Sequence, residues 1–407
     1  MTWFYEFRAK YDHNIKLQIK PACLTGRTIY VKLIKNNKVS LLNIPANRLD
    51  RFFERHQNEY EEKAISVLRS GIYISGPEVA AFEAAFAGFI GVPHCVSLAS
   101  GSDALWVALH TLGIGFGDEV ILQGNSFFAT VLAVTRCGAR PVFVEPDPTH
   151  YSIDLDKIEA QITPHTKAVL VTHLYGIMTP LDKLAALCRV RGLKLIEDCA
   201  QAHGARFKEK AAGSFGDIGC FSFYPTKTLG GFGDGGAIVT RDSFLAEQAR
   251  VFCNYGKQNM HGDFIMQGTN SRLDELQAGL LRVRLQHLED EIKEKRRIAA
   301  RYLENICNPE IGLPETFPNT QNVWHQFVVR CERRAQLAKH LQQKGIGTAV
   351  HYPIPPHLTT AFRCLEIPRG ALPVTEHLAD TVLSLPSFFG LTQNEQDYIL
   401  AAIQDFR

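Results

Sequence analysis

Residues 193–204 read LKLIEDCAQAHG: an apolar run from Leu193 to Glu197, then an acid, Asp198, and at once a string of small and polar residues. A short apolar run closed by turn formers is the signature of a buried strand. A carboxylate at its carboxyl end stands where open α/β sheets bind their ligands. Six more runs of the same kind alternate with helical spacing: Cys95 to Ala99, Val120 to Leu122, Pro141 to Val144, Ala168 to Thr172, Ile218 to Ser222 and Ala237 to Thr240. Seven such strands predict an α/β fold with a large, mostly parallel sheet covered by helices on both faces.

On the amino-terminal side, Leu49 to Leu68 and Pro77 to Phe89 have helical spacing, with Ser75-Gly76-Pro77 as a turn and helix start. On the other side, Leu273 to Ile306 reads as one long amphipathic helix, through Leu276, Leu280, Val283, Leu288 and Ile292. Beyond it come a strand (Phe327 to Arg330), helices (Ala335 to Lys344 and Leu391 to Phe406) and a Pro/His-rich loop at Tyr352 to His357. The expected organisation is a large α/β domain over 41–270 with an N-terminal helical arm, a linking helix over 271–310 and a small α+β domain over 311–407. Residues 1–40 contain a strand-like stretch, Thr28 to Ile34, but no motif, and stay unassigned.

Composition narrows the partners. A formal net charge of +2, with both signs interspersed, leaves no nucleic-acid footprint and suits a small or nucleotide-sized substrate. The ten cysteines are scattered, without a CxxC pair or zinc spacing, and read as thiols of a reducing cytoplasm. Apolar runs such as Ala168 to Val171 fall far short of the roughly 18 residues that suggest a membrane span, so neither anchoring nor export is expected.

Lys227 lies in FSFYPTKTLGG, residues 221–231, where a strand passes into a proline turn and a glycine-dense loop. Ser100-Gly101-Ser102-Asp103 joins a strand to a helical run, so free N–H groups and hydroxyls meet at a helix N-terminus suited to a phosphate. Phe127, in Asn125 to Thr130, is an aromatic at the next strand's edge. A pyridoxal-phosphate site needs a lysine, an acid for the ring nitrogen, a phosphate anchor and a flat surface for the ring. The chain offers Lys227, Asp198, Gly101-Ser102-Asp103 and Phe127, with Gln201 in reach of the cofactor's phenolic oxygen. Each residue alone has an ordinary reading: a solvated lysine, a capping aspartate, N-capping by Ser102 or Asp103, a core phenylalanine. The glycine-rich stretch 230–236 lacks the GK[ST] of a P-loop, and no well-placed GxGxxG appears.

In order along the chain, SGPEVAAFE, SGSDAL, NSFFAT, EPDP, HLYG, IEDCAQAHGA, FSFYPTKTLGGFGDGGAI, NSRLDELQAGLL and IGTAVHYPIPPHL resemble the DegT/DnrJ/StrS family of sugar aminotransferases, from about residue 42 to the C-terminus. The resemblance implies a fold-type I pyridoxal-phosphate enzyme. It makes Lys227 the Schiff-base lysine, pairs Asp198 with the pyridine nitrogen, and sets Gln201 on the phenolic oxygen and Phe127 on the ring. Ser102, Asp103 and Ser222 hold the phosphate. It also implies a homodimer with shared active sites, in which Asn270 reaches the other subunit's cofactor phosphate. The Asn125-Ser126-Phe127 and 346–357 segments look like the branch acting at carbon 3 of thymidine-diphosphate 3-keto-6-deoxyhexoses, with glutamate as amino donor. Tyr224, His325, His351 and Tyr352 are then expected at the substrate. Three departures stand out: Thr228 in place of asparagine, Gln123 in place of a proline, and the first 40 or so residues, which have no counterpart. A dehydratase on the same fold would carry histidine where Lys227 stands; a non-catalytic sugar-nucleotide sensor is the other alternative.

Overall fold

The computed structural model describes residues 42–258 and 262–407, and the backbone of two antiparallel strands, β1 (Lys16–Ala22) and β2 (Thr28–Ile34). The rest of the unassigned N-terminal stretch lies outside the described residues.

The helical arm breaks in two. α1 (Asp50–Arg55) stops at His56, which leaves helical geometry with ψ at 24°, and α2 (Gln57–Ser70) follows. α3 (Pro77–Ile90) starts where Pro77 brings a preset φ to the first turn. The N–H groups of Gly76, Glu78 and Val79 all donate to the Glu275 carboxylate at 2.8 Å, so the first residue of the long helix caps α3.

The seven strands anticipated from the alternation form one sheet: β3 (His94–Leu98), β4 (Glu119–Gln123), β5 (Arg140–Val144), β6 (Thr166–Thr172), β7 (Lys194–Asp198), β10 (Ile218–Ser222) and β11 (Gly236–Thr240). A small hairpin of β8 (Arg206–Phe207) and β9 (Lys210–Ala211) lies between β7 and β10 in sequence. The order across the large sheet is β3-β11-β10-β7-β6-β4-β5, parallel except for β11, which runs against both neighbours.

Alternate residues face two apolar layers. Leu98, Leu122, Leu170, Ile196 and Ile238 pack under α4 (Gly101–Thr111), α5 (Phe128–Arg136) and α7 (Ser243–Cys253). Val169, Leu195, Phe221 and Val239 pack on the other face, against α3, α6 (Asp182–Arg191) and the front of α8 (Glu275–Asn305). Ile298, Ala299 and Tyr302, near the far end of α8, enter a second core. That core is built by β13 (Phe327–Arg330), α9 (Arg334–Gln343), β14 (Val382–Leu385) and α11 (Gln393–Gln404). β13 pairs antiparallel with β14, a strand not anticipated from the sequence, as was α10 (Pro373–Thr381) before it. The two-residue β12 (Thr320–Gln321) pairs with β8.

Register positions the site. Asp198 at the end of β7 lies opposite Thr172 of β6 on one side and Cys220 of β10 on the other. The carboxyl ends of three parallel strands therefore meet at one edge.

Candidate active site

Asp198 is buried, and its carboxylate is held from three directions. Oδ2 accepts from Thr130 Oγ1 at 2.9 Å and from Thr172 Oγ1 at 3.4 Å, and Oδ1 accepts from the Ala200 N–H at 3.2 Å. Burial pushes its pKa up; the Ala200 and Thr130 hydrogen bonds and the Lys227 charge pull against that shift.

Lys227 comes from the turn after β10. Its N–H donates to the Tyr224 carbonyl at 2.8 Å, and the Gly231 N–H returns to the Phe223 carbonyl at 2.8 Å. Gly230 is required there, since a Cβ would lie 2.3 Å from the Pro225 carbonyl oxygen. Burial lowers the Lys227 pKa to about 8, against the opposing pull of Asp198. Near neutral pH the amine therefore both holds and releases protons.

The expected phosphate residues are brought together. Gly101 lies so close to Ser222 that an added Cβ would fall 2.4 Å from the Ser222 Cβ. The N-cap of α4 is Ser100, not Ser102 or Asp103: its Oγ accepts from the Asp103 N–H at 3.1 Å. The helix offers no acceptor to the N–H groups of Gly101 and Ser102, which open toward Ser222. Asp103 has other work, because its carboxylate accepts from Ser271 Oγ at 2.8 Å and from Arg136 at 3.1 Å. It braces the loop rather than presenting donors.

On the ring side, Phe127 is half-exposed, with its centroid 5.1 Å from that of Tyr352. Gln201 is buried; its Nε2 donates to the Tyr352 hydroxyl at 3.0 Å and its Oε1 accepts from the Tyr175 N–H at 2.5 Å. Gly176 permits this approach with φ at +81°, where a Cβ would lie 2.9 Å from the Gln201 carbonyl and 2.8 Å from the His325 nitrogen. The departure at Gln123 is a buried side chain whose Oε1 accepts from the Thr172 N–H at 3.3 Å, tying β4 to the end of β6.

A cavity of about 190 Å³ opens beside Lys227, with His325, His351 and Lys295 on its wall. Burial and the Lys227 charge push His325 well below its usual range and His351 down to about 4, so both imidazoles are neutral. His351 Nδ1 lies 2.8 Å from Ser384 Oγ, and its carbonyl accepts from the Tyr175 hydroxyl. The four residues expected at the substrate divide. His325 and His351 face this cavity, whereas Tyr352 lies in the neighbouring cleft with Asn125 and Tyr175, tied to Gln201. Tyr224 is exposed on the turn before Lys227 and lines neither space.

Asn270 is exposed beside Ser271, whose Oγ joins the Ala99 N–H and the Asp103 carboxylate. Sequence reasoning passed over Thr130 and Thr172, ordinary core threonines until the register sets them on Asp198. It also passed over His203, packed among Phe86, Phe221 and Phe223 and held neutral by burial, its pKa lowered to about 3.

The donor set fits pyridoxal phosphate. A buried carboxylate, an amine of lowered pKa, N–H groups and a hydroxyl at a helix start, and an aromatic pair match the ring nitrogen, aldehyde, phosphate and ring face of that group.

Residues 54–404 match the model of the DegT/DnrJ/EryC1/StrS aminotransferase family. The chain is 46% identical over 344 residues to the dTDP-3-amino-3,4,6-trideoxy-alpha-D-glucose transaminase of Streptomyces venezuelae, covering 84% of this chain and 90% of that one. It is 44% identical over 364 residues to the erythromycin biosynthesis sensory transduction protein EryC1 of Saccharopolyspora erythraea, covering 89% and 99%. The crystal structure of S. venezuelae DesV in complex with a ketimine intermediate superimposes with a TM-score of 0.87 at 44% identity, covering 89% of this chain and 98% of that one. The chain therefore belongs to the DegT/DnrJ/EryC1/StrS aminotransferase family and is a pyridoxal-phosphate-dependent sugar aminotransferase.

Proposed function

We propose that the chain aminates carbon 3 of a dTDP-linked 3-keto-6-deoxyhexose, with glutamate as amino donor. The observation that carries this reading is the placing of Lys227 and Asp198 at one sheet edge, close enough for each to shift the other's ionisation. The dTDP-3-amino sugar named for the Streptomyces venezuelae relative supports the choice of substrate.

Pyridoxal phosphate supplies a protonated pyridine ring that takes up the electron pair left when the donor's α-proton departs. Asp198 keeps the proton on the ring nitrogen, and Thr130 and Thr172 keep Asp198 in line. Lys227 Nζ carries the cofactor at rest, then takes the donor's α-proton and delivers it one carbon away; the same moves in reverse serve the keto sugar. Gly101, Ser102 and Ser222 hold the phosphate, Phe127 covers the ring, and Gln201 meets the phenolic oxygen. His325 and His351, both neutral, hydrogen-bond sugar hydroxyls without attracting the diphosphate.

The working unit is a homodimer in which Asn270 reaches the second copy's cofactor phosphate. Exposed Ile65, Leu68, Ile72, Tyr73 and Ile74, contiguous in sequence, support a covered surface there. The chain works in the cytoplasm, in keeping with free cysteines throughout the described residues, and its product feeds a surface polysaccharide or a secreted natural product. A purely regulatory role, as the EryC1 name suggests for that relative, leaves the desolvated lysine beside a buried acid without a use.

Incubation with glutamate and a panel of keto-sugar nucleotides, read by mass spectrometry, tests the proposal. Amination of the dTDP-3-keto-6-deoxyhexose with release of 2-oxoglutarate is expected. Conversion of 4-keto substrates alone, or of none, would refute it.

A further inference from the structure

Three charged side chains lie along one face of α8 and form a wall of the Lys227 cavity: Arg284, Glu291 and Lys295. Their spacing of seven and four residues returns them to the same side of the helix. All three are buried, at 9%, 4% and 5% exposure. In the sequence they read as ordinary charges of an amphipathic helix.

Two of them satisfy each other. Arg284 Nη2 donates to Glu291 Oε1 at 3.0 Å and Arg284 Nη1 to the Gly230 carbonyl at 2.9 Å, while the guanidinium sits 4.5 Å from the centre of the Phe52 ring. Lys295 is left over. Among the described residues its one hydrogen bond goes to the carbonyl of His325, at 2.9 Å. Burial lowers its pKa to about 8, in spite of Glu291. The trio carries one net positive charge into a small cavity, and little else there cancels it. Arg48 is already paired with Asp50 at 2.9 Å, and the imidazoles of His325 and His351 are neutral. His325 Nδ1 is buried on the same wall without a hydrogen-bond partner. A buried ammonium with a single neutral partner is a costly arrangement that an incoming anion offsets.

The geometry points to Lys295 as the cation of a substrate oxyanion seat, with Arg284 and Glu291 fixing the wall behind it and the His325 ring beside it. The seat rests on the transamination reading and deepens it. Two groups of that reaction share the required chemistry: the side-chain carboxylate of a dicarboxylic donor and the diphosphate of the sugar nucleotide.

Half-reactions of the holoenzyme, followed by the cofactor's visible absorbance, separate the two. The probes are L-glutamate, its uncharged counterpart L-glutamine, and a dTDP-3-amino-3,6-dideoxyhexose run in the reverse direction. In Lys295→Met, at least a tenfold rise in the half-saturating concentration of glutamate, with that of glutamine unchanged, assigns the seat to the donor carboxylate. The same rise confined to the sugar nucleotide assigns it to the diphosphate. Equal rises for glutamate and glutamine, or no rise with any probe, overturn the seat. Lys295→Gln, which keeps a donor for the His325 carbonyl, gives the same reading if the methionine variant does not fold. A wild-type protein unreactive with every amino compound would sink the transamination reading and the seat together, whereas a failed comparison in the variants sinks the seat alone.

Discussion

Thr130 Oγ1 donates to Oδ2 of Asp198 at 2.9 Å, across from the end of β7 to the first turn of α5. It is a shorter contact than the one from Thr172, at 3.4 Å. A desolvated carboxylate depends on such donors to stay ionised.

Thr130→Val keeps the shape and removes the donor. An unsatisfied buried acceptor costs about 1–3 kcal/mol, and the Asp198 pKa, already raised by burial, rises further. The ionised form is present above that pKa, so the acid limb of the kcat–pH profile moves to higher pH. A limb that stays in place would separate Thr130 from the ring-nitrogen acid.

The Lys227 amine adds to an aldehyde only when neutral. With its pKa at about 8, the neutral fraction grows about tenfold per pH unit below that value and levels above it. The rate at which cofactor-free protein gains visible absorbance on addition of pyridoxal phosphate should follow the same curve. A rate that still climbs steadily toward pH 10 would mean an exposed, ordinary lysine.

Gly101→Ala should loosen the cofactor. The new methyl falls 2.4 Å from the Ser222 Cβ and 2.9 Å from its backbone Cα, so the helix start and the serine must part. At least a tenfold weaker affinity for pyridoxal phosphate is expected by titration, with a smaller gain in melting temperature on cofactor binding than in the parent. Unchanged affinity would remove the Gly101–Ser222 cradle from the phosphate site.

Mixing subunits tests shared active sites. Lys227→Ala and Asn270→Ala proteins should each be inactive or weak, yet co-refolded mixtures should regain turnover, because one site of each hybrid combines an intact Lys227 with an intact Asn270 from the other chain. If Asn270 serves its own chain's site, no hybrid recovers.

Local patterning was enough to read the seven strands, because each is a short apolar run closed by turn formers. It also located Lys227 and Asp198, each at the carboxyl end of such a run. It failed where burial depends on distant packing. Glu291 and Lys295 look like solvent-facing helix charges until α8 is laid between the two cores. Tyr352 reads as a substrate contact until Gln201, 151 residues earlier, claims its hydroxyl. β14 was passed over because Val382 to Leu385 is only four residues long and is buried by a strand 55 residues earlier. The break at His56 and the cap at Ser100 rather than Ser102 are one- to two-residue decisions, made by backbone geometry that several neighbouring residues would satisfy equally on paper.

The lysine that carries the cofactor can be identified directly. Two lysines of lowered pKa, Lys227 and Lys295, line the same cavity. Borohydride reduction of the yellow protein, digestion and peptide mass spectrometry should place the phosphopyridoxyl group on Lys227 alone. Its recovery on Lys295, or on no residue of this loop, would contradict the account.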